Sequence, residues 1–230
     1  MKMGENKIWV ISLGGSRIVP DEVDEGFLKD FKDLIEAHPT HKFVVITGGG
    51  STARRYISAL RKLGKKTKAQ SMAGIAVTRL HANFMARFFG SSANESIPKN
   101  MGKVKNLLKK NQIVFCGALR YKPNNTSDGT GANLAKFLKC PFINLTNVRG
   151  LYSLDPKKNK NAKFIGKISW KRFEEMTSKM KYHAGQHFVL DQAAAKIILK
   201  KKIVTYIVGS LEAIDNILKG KKFIGTVIEG

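Results

Sequence analysis

Two glycine clusters have the composition of phosphate-binding loops, and each of them follows an apolar run. Residues 14–16 read Gly-Gly-Ser, and residues 48–50 read Gly-Gly-Gly. Glycines at the end of a strand let the backbone come close to an anion, and their free N–H groups can form an anion-binding nest. Because ligands gather at the carboxyl ends of parallel strands, two such clusters favour a shared phosphate site over two unrelated tight turns.

A predicted helix follows the second cluster directly. We expect this helix to begin at Ser51 or Thr52, which places the partial positive charge of its N-terminus beside the glycines. Arg54 lies within its first turn, where a guanidinium can bridge phosphate oxygens bidentately. Neither cluster has the spacing of a Walker loop or of the dinucleotide GxGxxG fingerprint. The pattern therefore predicts a phosphate site without identifying its ligand.

A third polar cluster opens another predicted helix. Residues 124–129 read Asn-Asn-Thr-Ser-Asp-Gly, and the hydroxyls of Thr126 and Ser127 could donate to a phosphate. Asp128 has two interpretations, because a carboxylate at this point can organise Mg²⁺ or can simply cap the helix.

The fourth candidate is the loop 145–156, which follows an apolar run and turns at Gly150. It presents Tyr152 and Asp155 three residues apart, which suits stacking on a base and hydrogen bonding to a ribose or a purine edge. The alternative for this loop is a polar connection around a buried tyrosine.

The elements that must position these residues alternate along the chain. Apolar runs predict strands at Ile8–Leu13, Phe43–Thr47, Ile113–Cys116, Phe142–Leu145, Ile203–Val208 and Phe223–Ile228. Helical patterns lie between them at 24–37, 53–63, 70–89, 102–110, 129–139, 170–179, 189–200 and 211–219. Most of the strands are continuous apolar runs, as buried parallel strands are. This alternation predicts an α/β fold, a three-layer α/β/α sandwich with a mainly parallel central sheet.

The composition is that of a globular protein. A chain of 230 residues can bury one sizeable core. No apolar run approaches the roughly 20 residues of a membrane-spanning helix, and the first residues do not have the pattern of a signal peptide. Cys116 and Cys140 are not in a CxxC motif, so we expect buried free thiols, which fit a reducing cytoplasm. We therefore expect a cytoplasmic protein without a membrane partner.

The net charge of +24 is unusual and attracts anions such as nucleotides or nucleic acid. The lysines, however, are dispersed in short runs such as 109–110, 157–158 and 200–202. Dispersed lysines favour a solvated surface, so nucleic acid is a possible partner but not the favoured one. The polar stretch 157–163 is the one segment that is predicted to be a mobile loop.

Taken together, these motifs resemble the amino-acid-kinase superfamily. That superfamily has Gly-Gly after its first strand, Gly-Gly-Gly after its second strand, and a late loop of the form T-N-V-D-G-V-Y-x-x-D-P. The chain matches this pattern at residues 14–16, 48–50 and 146–156. Three further segments look like the archaeal uridylate (UMP) kinases in particular, namely 47–57, 74–80 and 184–196. The similarity runs from about residue 7 to residue 229.

The resemblance implies an activity and a division of the chain. A nucleoside-monophosphate kinase of this kind transfers the γ-phosphoryl group of ATP, with Mg²⁺, to a nucleoside monophosphate, with UMP as the default acceptor in pyrimidine biosynthesis. Residues 1–140 would form an acceptor-binding lobe and residues 141–230 an ATP-binding lobe, with one continuous sheet. In-line transfer needs no covalent intermediate, so backbone N–H groups, cations and Mg²⁺ hold the developing charge.

The resemblance also implies a role for individual residues. The ATP contacts would be Gly15, Ser16, Gly50, Arg54, Thr146, Asn147, Tyr152 and Asp155. The contacts to the acceptor would be Gly49, Ser71, Thr126 and Ser127. The predicted catalytic residues are Arg54, Asp128 and Lys196. We predict no metal site built by protein ligands alone, and structural roles for His81, His183 and His187.

Several positions depart from the family pattern, and three of them bear most directly on the chemistry and the acceptor. Ser12 stands where the family often has Lys or Asp, so a transition-state lysine is missing there and Lys196 or Lys7 would have to replace it. Ser71 stands where the uridylate kinases have an Asp that holds the acceptor ribose, and Arg149 replaces another Asp. Two alternatives follow: a kinase for another phosphorylated acceptor, or a nucleotide- or polyanion-binding protein without turnover.

The predicted helix 70–89 is too apolar for the outer face of a monomer. By the resemblance it would form a dimer contact within a homo-hexamer, a trimer of dimers.

Overall fold

The computed structural model describes residues 7–121, 126–156, 159–178, 190 and 192–230. The strands within these ranges are β1 (Lys7–Leu13), β2 (His41–Thr47), β3 (Ile113–Cys116), β4 (Phe142–Leu145), β5 (Leu151–Tyr152), β6 (Phe164–Ile165), β7 (Lys167–Ile168), β8 (Thr205–Val208) and β9 (Thr226–Ile228). Seven of them form one sheet in the order β3-β2-β1-β4-β8-β9-β7, and β5 pairs with β6 in a separate ribbon. Within the large sheet only β8 and β9 are antiparallel. The predicted mainly parallel sheet is confirmed.

The helices over the same ranges are α1 (Gly15–Ile18), α2 (Glu25–Glu36), α3 (Gly50–Lys62), α4 (Thr67–Phe89), α5 (Met101–Lys110), α6 (Ser127–Leu138), α7 (Trp170–Ser178), α8 (Gln192–Lys201) and α9 (Leu211–Leu218). Each of the eight predicted helices has a counterpart, although 179, 189 and 191 lie outside the described residues. None of the helices in the described part of the chain has the length and apolar character to cross a bilayer.

The side-chain alternation of the strands builds two cores, one on each face of the sheet. In β1, Trp9, Ile11 and Leu13 pack with apolar residues of α2, α4 and α9. Val10 faces the other way and packs with residues of α5, α6, α7 and α8. The fold is thus helix, sheet and helix in three layers, as predicted. Ser12 follows the Val10 face, which directs its side chain towards α6.

Several boundaries differ from the prediction. Helix α3 begins at Gly50 rather than at Ser51 or Thr52, and α4 begins at Thr67 rather than at residue 70. Strand β8 begins at Thr205 rather than at Ile203, because apolar character alone does not mark where pairing starts. Helix α1, the β5–β6 ribbon and β7 were not predicted, because one turn of helix or two residues of strand show no periodicity.

The sheet runs without interruption across the predicted division at residue 140. Strand β4 pairs with β1 on one side, with Val10 opposite Phe142, and with β8 on the other. The acceptor-binding and ATP-binding lobes on either side of this position stay a prediction. The linker-like stretch 157–163 falls partly outside the described residues, and from 159 onwards it leads into β6.

Both cysteines are free thiols, as expected. Cys116 is buried in β3, whereas Cys140 precedes β4 and is only partly buried. Burial raises the pKa of each thiol to about 12. Both thiols therefore stay protonated at neutral pH, the form in which a cysteine is a weak nucleophile.

A charged contact ties α2 to α9 on the outer surface. Nε2 of the buried His38 lies 2.8 Å from Oδ1 of Asp215, and Lys219 Nζ donates to Oδ2 of Asp215 at 2.6 Å. The hydrogen bond from Lys219 and then the one from His38 lower the pKa of Asp215. This contact stabilises the fold only while the carboxylate is ionised.

We predict that Asp215→Asn lowers the free energy of unfolding at pH 7 by about 1 kcal/mol, because a partly exposed charged hydrogen bond contributes at this level. The pKa of Asp215 is lower in the folded chain than in the unfolded chain. The stabilisation is therefore present above the unfolded pKa of about 3.9 and is lost as the pH falls through the folded value. Urea unfolding at several pH values checks this. Asp30→Asn, which removes an exposed carboxylate of α2, is the control, and equal losses in the two variants would contradict the prediction.

Candidate active site

The two glycine loops touch each other backbone to backbone. Strands β1 and β2 pair in a register that sets Leu13 opposite Thr47, so both loops leave the sheet side by side. Gly48 N donates to Leu13 O at 2.8 Å. A Cβ atom at Gly15 would lie 2.5 Å from Gly50 N, and one at Gly50 would lie 2.6 Å from the carbonyl carbon of Gly15. Only glycine fits at these two positions, and the φ of 57° at Gly50 adds a second reason.

Helix α4 holds the second glycine loop from behind. The buried His81 donates from Nδ1 to Gly48 O at 2.8 Å, and Thr47 Oγ1 donates to Thr78 O at 2.7 Å. Thr78 Oγ1 in turn accepts from Ala118 N at 3.0 Å. These bonds orient the Gly48 carbonyl towards α4. The structural role predicted for His81 is confirmed, whereas His183 and His187 lie outside the described residues.

A cavity of about 230 Å³ opens where the carboxyl ends of β1, β2 and β4 meet the N-terminus of α6. It is lined by Ser12, Gly14, Gly15, Ser16, Arg17, Gly48, Gly49, Gly50, Arg54, Ser127, Asp128, Asn144, Leu145, Thr146 and Asn147. We call it the phosphate cavity. The structure thus brings together residues from four separate parts of the sequence, namely Gly15, Ser16, Gly49, Gly50, Arg54, Ser127, Asp128, Thr146 and Asn147.

A second cavity of about 510 Å³ adjoins the first and is called the nucleoside cavity below. It is lined by Asn147, Val148, Arg149, Tyr152, Pro156, Gly209, Ser210 and Ile224. Asn147 lines both cavities, so the two lie next to each other. Tyr152 is partly buried and packs against Phe164, with the ring centroids 5.5 Å apart. Stacking of a base on this side chain remains a prediction.

Four predicted site residues do not line either cavity. Asp155 is exposed and follows β5, with its carbonyl accepting from Asn159 N at 2.9 Å. Ser71 lies on α4 and is partly buried, and Lys196 is exposed on α8. Thr126 caps α6, because its Oγ1 accepts from Gly129 N at 3.0 Å. The roles that the resemblance implies for these four residues stay predictions.

Ser12 and Asp128 form the polar floor of the phosphate cavity. Ser12 is 2% exposed and donates from Oγ to Asp128 Oδ1 at 2.7 Å. Since Thr126 is the capping residue, the interpretation of Asp128 as the cap of α6 is wrong. Asp128 instead contributes a carboxylate to the cavity, held in place by the serine. The serine that replaces the expected lysine or aspartate thus has a defined structural role.

Sequence reasoning missed Arg17. Its Nη2 donates to Thr146 O at 2.8 Å and to Gly209 O at 2.6 Å, and its side chain lines the phosphate cavity. Both acceptors are more than a hundred residues away along the chain, so no local pattern could reveal them. The available signal was its place in the sequence, three residues after Gly14.

The chemistry of this lining suits a polyphosphate. Among the described residues that line the phosphate cavity, Arg17 and Arg54 are the cations and Asp128 is the acid. Backbone N–H groups of glycine loops and guanidinium groups are the usual partners of phosphate oxygens. The described residues contain no cluster of three metal-ligating side chains. A divalent ion here would take one carboxylate from the protein and its other ligands from the nucleotide and water, which is the usual arrangement for Mg²⁺.

The comparisons with known proteins agree with this site. Residues 7–209 match the Amino acid kinase family, so the chain belongs to that family. More particularly, it is 38% identical to the uridylate kinase of Archaeoglobus fulgidus over 223 residues, 95% of this chain and 98% of the relative. It is 34% identical to the uridylate kinase of Thermococcus kodakarensis over 224 residues, 96% of this chain and 98% of the relative.

The solved structures agree in fold. The crystal structure of uridylate kinase from Archaeoglobus fulgidus has a TM-score of 0.84 at 36% identity, covering 96% of this chain and 99% of that chain. The crystal structure of UMP kinase from Ureaplasma parvum has a TM-score of 0.78 at 18% identity, covering 99% and 100%, which speaks for the fold alone. The fold and the resemblance inferred from the motifs are confirmed.

We predict that Gly15→Ala lowers the free energy of unfolding by about 3 kcal/mol, because its methyl group has no space between the two glycine loops. Gly14→Ala is the matched control, since its nearest heavy atom outside the adjacent residues would be an ordinary 3.8 Å away. Thermal or urea unfolding of the ligand-free chain measures the difference. Equal stability of the two variants would show that the loops do not depend on this close contact.

Proposed function

We propose that the chain is a nucleoside-monophosphate kinase that transfers the γ-phosphoryl group of ATP to UMP, yielding ADP and UDP. The observation that carries this proposal is the phosphate cavity between two touching glycine loops, which shares the lining residue Asn147 with the nucleoside cavity. The uridylate kinases described above, 34% and 38% identical over nearly the whole chain, support UMP as the acceptor. They lend no support to another acceptor or to a binding protein without turnover.

The two adjacent cavities support one placement of the donor nucleotide. The nucleoside of ATP would occupy the nucleoside cavity beside Tyr152, and its phosphates would extend past Asn147 to Gly15 and Gly50. The acceptor phosphate would contact the same cavity at Gly49 and Ser127. Direct transfer would require the attacking oxygen of the acceptor to lie in line with the γ-phosphoryl group of ATP.

The residues of the cavity supply position and charge. Glycine N–H groups and the guanidinium of Arg54 would stabilise the negative charge that develops on the transferring group. Ser12 holds Asp128 in one orientation through the 2.7 Å hydrogen bond. Asp128 is the residue that would hold Mg²⁺ together with the phosphates of ATP. The ion would supply charge neutralisation at the phosphate oxygens when bound with the nucleotide.

The proposal is tested by coupling ADP release to UMP, CMP, AMP and GMP as acceptors, with Mg²⁺ and ATP present. We expect turnover to be highest with UMP. Ser71, which was predicted to contact the acceptor, lines neither cavity. The identity of the acceptor is therefore the part of the proposal that the assay tests most directly. ATP binding without turnover of any acceptor would refute the kinase assignment, and faster turnover of a different acceptor would refute UMP alone.

We predict that Arg54→Ala lowers kcat/KM by roughly 30- to 150-fold, a loss of about 2–3 kcal/mol of transition-state stabilisation. The matched control replaces Lys109 and Lys110, two exposed cations at the end of α5, with Ala. Because salt at 0.1 M screens charges beyond about 10 Å, the double lysine variant should keep nearly the full turnover of the unmodified chain. Lys157 and Lys158, the other candidates for such a control, lie outside the described residues. Loss of turnover in the double lysine variant alone would move the functional surface away from Arg54.

We also propose that the chain assembles through α4. Its outer face exposes Met72, Leu80, Phe84 and Phe88, each by 37–62% of its surface. These residues follow a spacing of four or eight along the helix and form one apolar stripe, which favours burial against another copy. A dimer, and the hexamer built from three dimers, would follow from this contact. A kinase of this class would work in the cytoplasm, in pyrimidine biosynthesis.

We predict that replacing Leu80 and Phe84 with Glu shifts the chain to a smaller assembly, because two buried carboxylates would oppose the contact. Light scattering after size exclusion gives the mass. Val23→Glu, at an exposed apolar position before α2, serves as the control. An unchanged mass in the Leu80 and Phe84 variant would exclude α4 as the contact.

A further inference from the structure

Arg17 joins three parts of the site that are far apart in sequence. It lies in the single turn of α1, directly after the first glycine loop. Its Nη2 group donates to Thr146 O at the end of β4 and to Gly209 O at the end of β8. Thr146 lines the phosphate cavity and Gly209 lines the nucleoside cavity. One guanidinium thus fixes both cavities against the glycine loop.

The surroundings of Arg17 leave it little freedom. The guanidinium carbon lies 5.8 Å from the centroid of the Phe27 ring, on one side of the side chain. Its Nε is buried and has no hydrogen-bond partner in the described structure. A buried donor without a partner is rare and requires a reason. The unpaired Nε makes the Arg17 guanidinium costly to bury. That cost is understandable where the adjoining cavity binds an anion.

In the family pattern, the cavity would receive a cation from the position that Ser12 occupies in this chain. Ser12 stands at the position where a lysine was expected. Lys196 does not line the phosphate cavity. Lys7 begins β1 and Leu13 ends it, six residue steps further along the strand, which is about 20 Å at the rise of a strand. Of the two cations that line the cavity in the described part of the chain, Arg54 lies on α3 after the second glycine loop and Arg17 on α1 after the first.

We infer that Arg17 is a positioning residue for the phosphate donor. It holds the turn at Thr146 and the end of β8 at Gly209 in register with the first glycine loop, and its charge favours the polyphosphate of the nucleotide over the nucleoside alone. The inference rests on the proposed function only in taking ATP as the donor. It concerns binding of ATP and does not depend on which acceptor is phosphorylated.

Two substitutions separate the charge of Arg17 from its hydrogen bonds. Arg17→Met removes both but keeps an unbranched apolar stem to pack on Phe27. Arg17→Lys keeps the charge but cannot present the planar fork that meets two carbonyls. Arg55→Met is the control, because Arg55 is an exposed arginine on α3 that lines neither the phosphate cavity nor the nucleoside cavity.

The experiment measures the dissociation constants of ATP, ADP and adenosine for the full chain by calorimetry, without an acceptor. We expect Arg17→Met to weaken ATP about tenfold or more, ADP less, and adenosine less than twofold. Arg17→Lys should recover part of the ATP affinity, and Arg55→Met should change none of the three constants by more than twofold. In the acceptor assay, Arg17→Met should raise the KM for ATP while the KM for the acceptor stays within twofold.

Three results would overturn the inference. Unchanged ATP affinity in Arg17→Met would show that the residue does not act on the donor. Equal weakening of ATP and adenosine would show a general structural role instead. Equal weakening of ATP by Arg55→Met would show that any surface arginine has this effect. Circular dichroism shows whether Arg17→Met folds. If it does not, the same comparison is made with Arg17→Lys: weaker binding of ATP than of adenosine, relative to the unmodified chain, supports the inference, and equal weakening of both overturns it.

The experiment also separates this inference from the proposed function. If the unmodified chain binds ATP but phosphorylates no acceptor, the proposed function fails while the role of Arg17 at the donor remains testable. If the unmodified chain does not bind ATP at all, both fail together.

Discussion

The site depends on one steric constraint, the contact between the backbones of two glycine loops. The register of β1 against β2 brings the loops out of the sheet together, and no side chain fits between Gly15 and Gly50. The start of α1 and the start of α3 follow from that contact, since each helix continues one of the loops. His81 engages the carbonyl of Gly48 from α4, which removes this acceptor from the wall where an anion would bind.

The alternation of side chains along β1 decides what the cavity floor is made of. Trp9, Ile11 and Leu13 belong to the core under α2, α4 and α9, so Ser12 must face the layer of α6. Its hydroxyl therefore meets Asp128 at the N-terminus of that helix. A lysine at this position would place a cation next to the carboxylate. The serine leaves a neutral donor instead, and the positive charge of the site then comes from arginines on the adjoining loops.

The parts that sequence could predict are those whose signal is local. Continuous apolar runs ending in glycines located β1, β2 and the walls of the phosphate cavity, and the motif resemblance located Thr146 and Asn147. Short elements such as α1 carry no periodicity. Arg17 was missed because its partners lie 129 and 192 residues away. Lys196 was assigned by motif alone, and its exposed position on α8 depends on helix packing that a motif does not encode.

The large net charge and the small cavity act on different steps of anion binding. A charge of +24 spread over the surface attracts any anion over a distance, and this attraction weakens as salt shortens the screening length to about 8–10 Å. It cannot distinguish one phosphate compound from another. Arg17 and Arg54 line a cavity of about 230 Å³, where a guanidinium can contact a bound anion directly. We therefore expect the surface lysines to affect how fast an anion arrives, and the two arginines and the glycine loops to affect which anion is held.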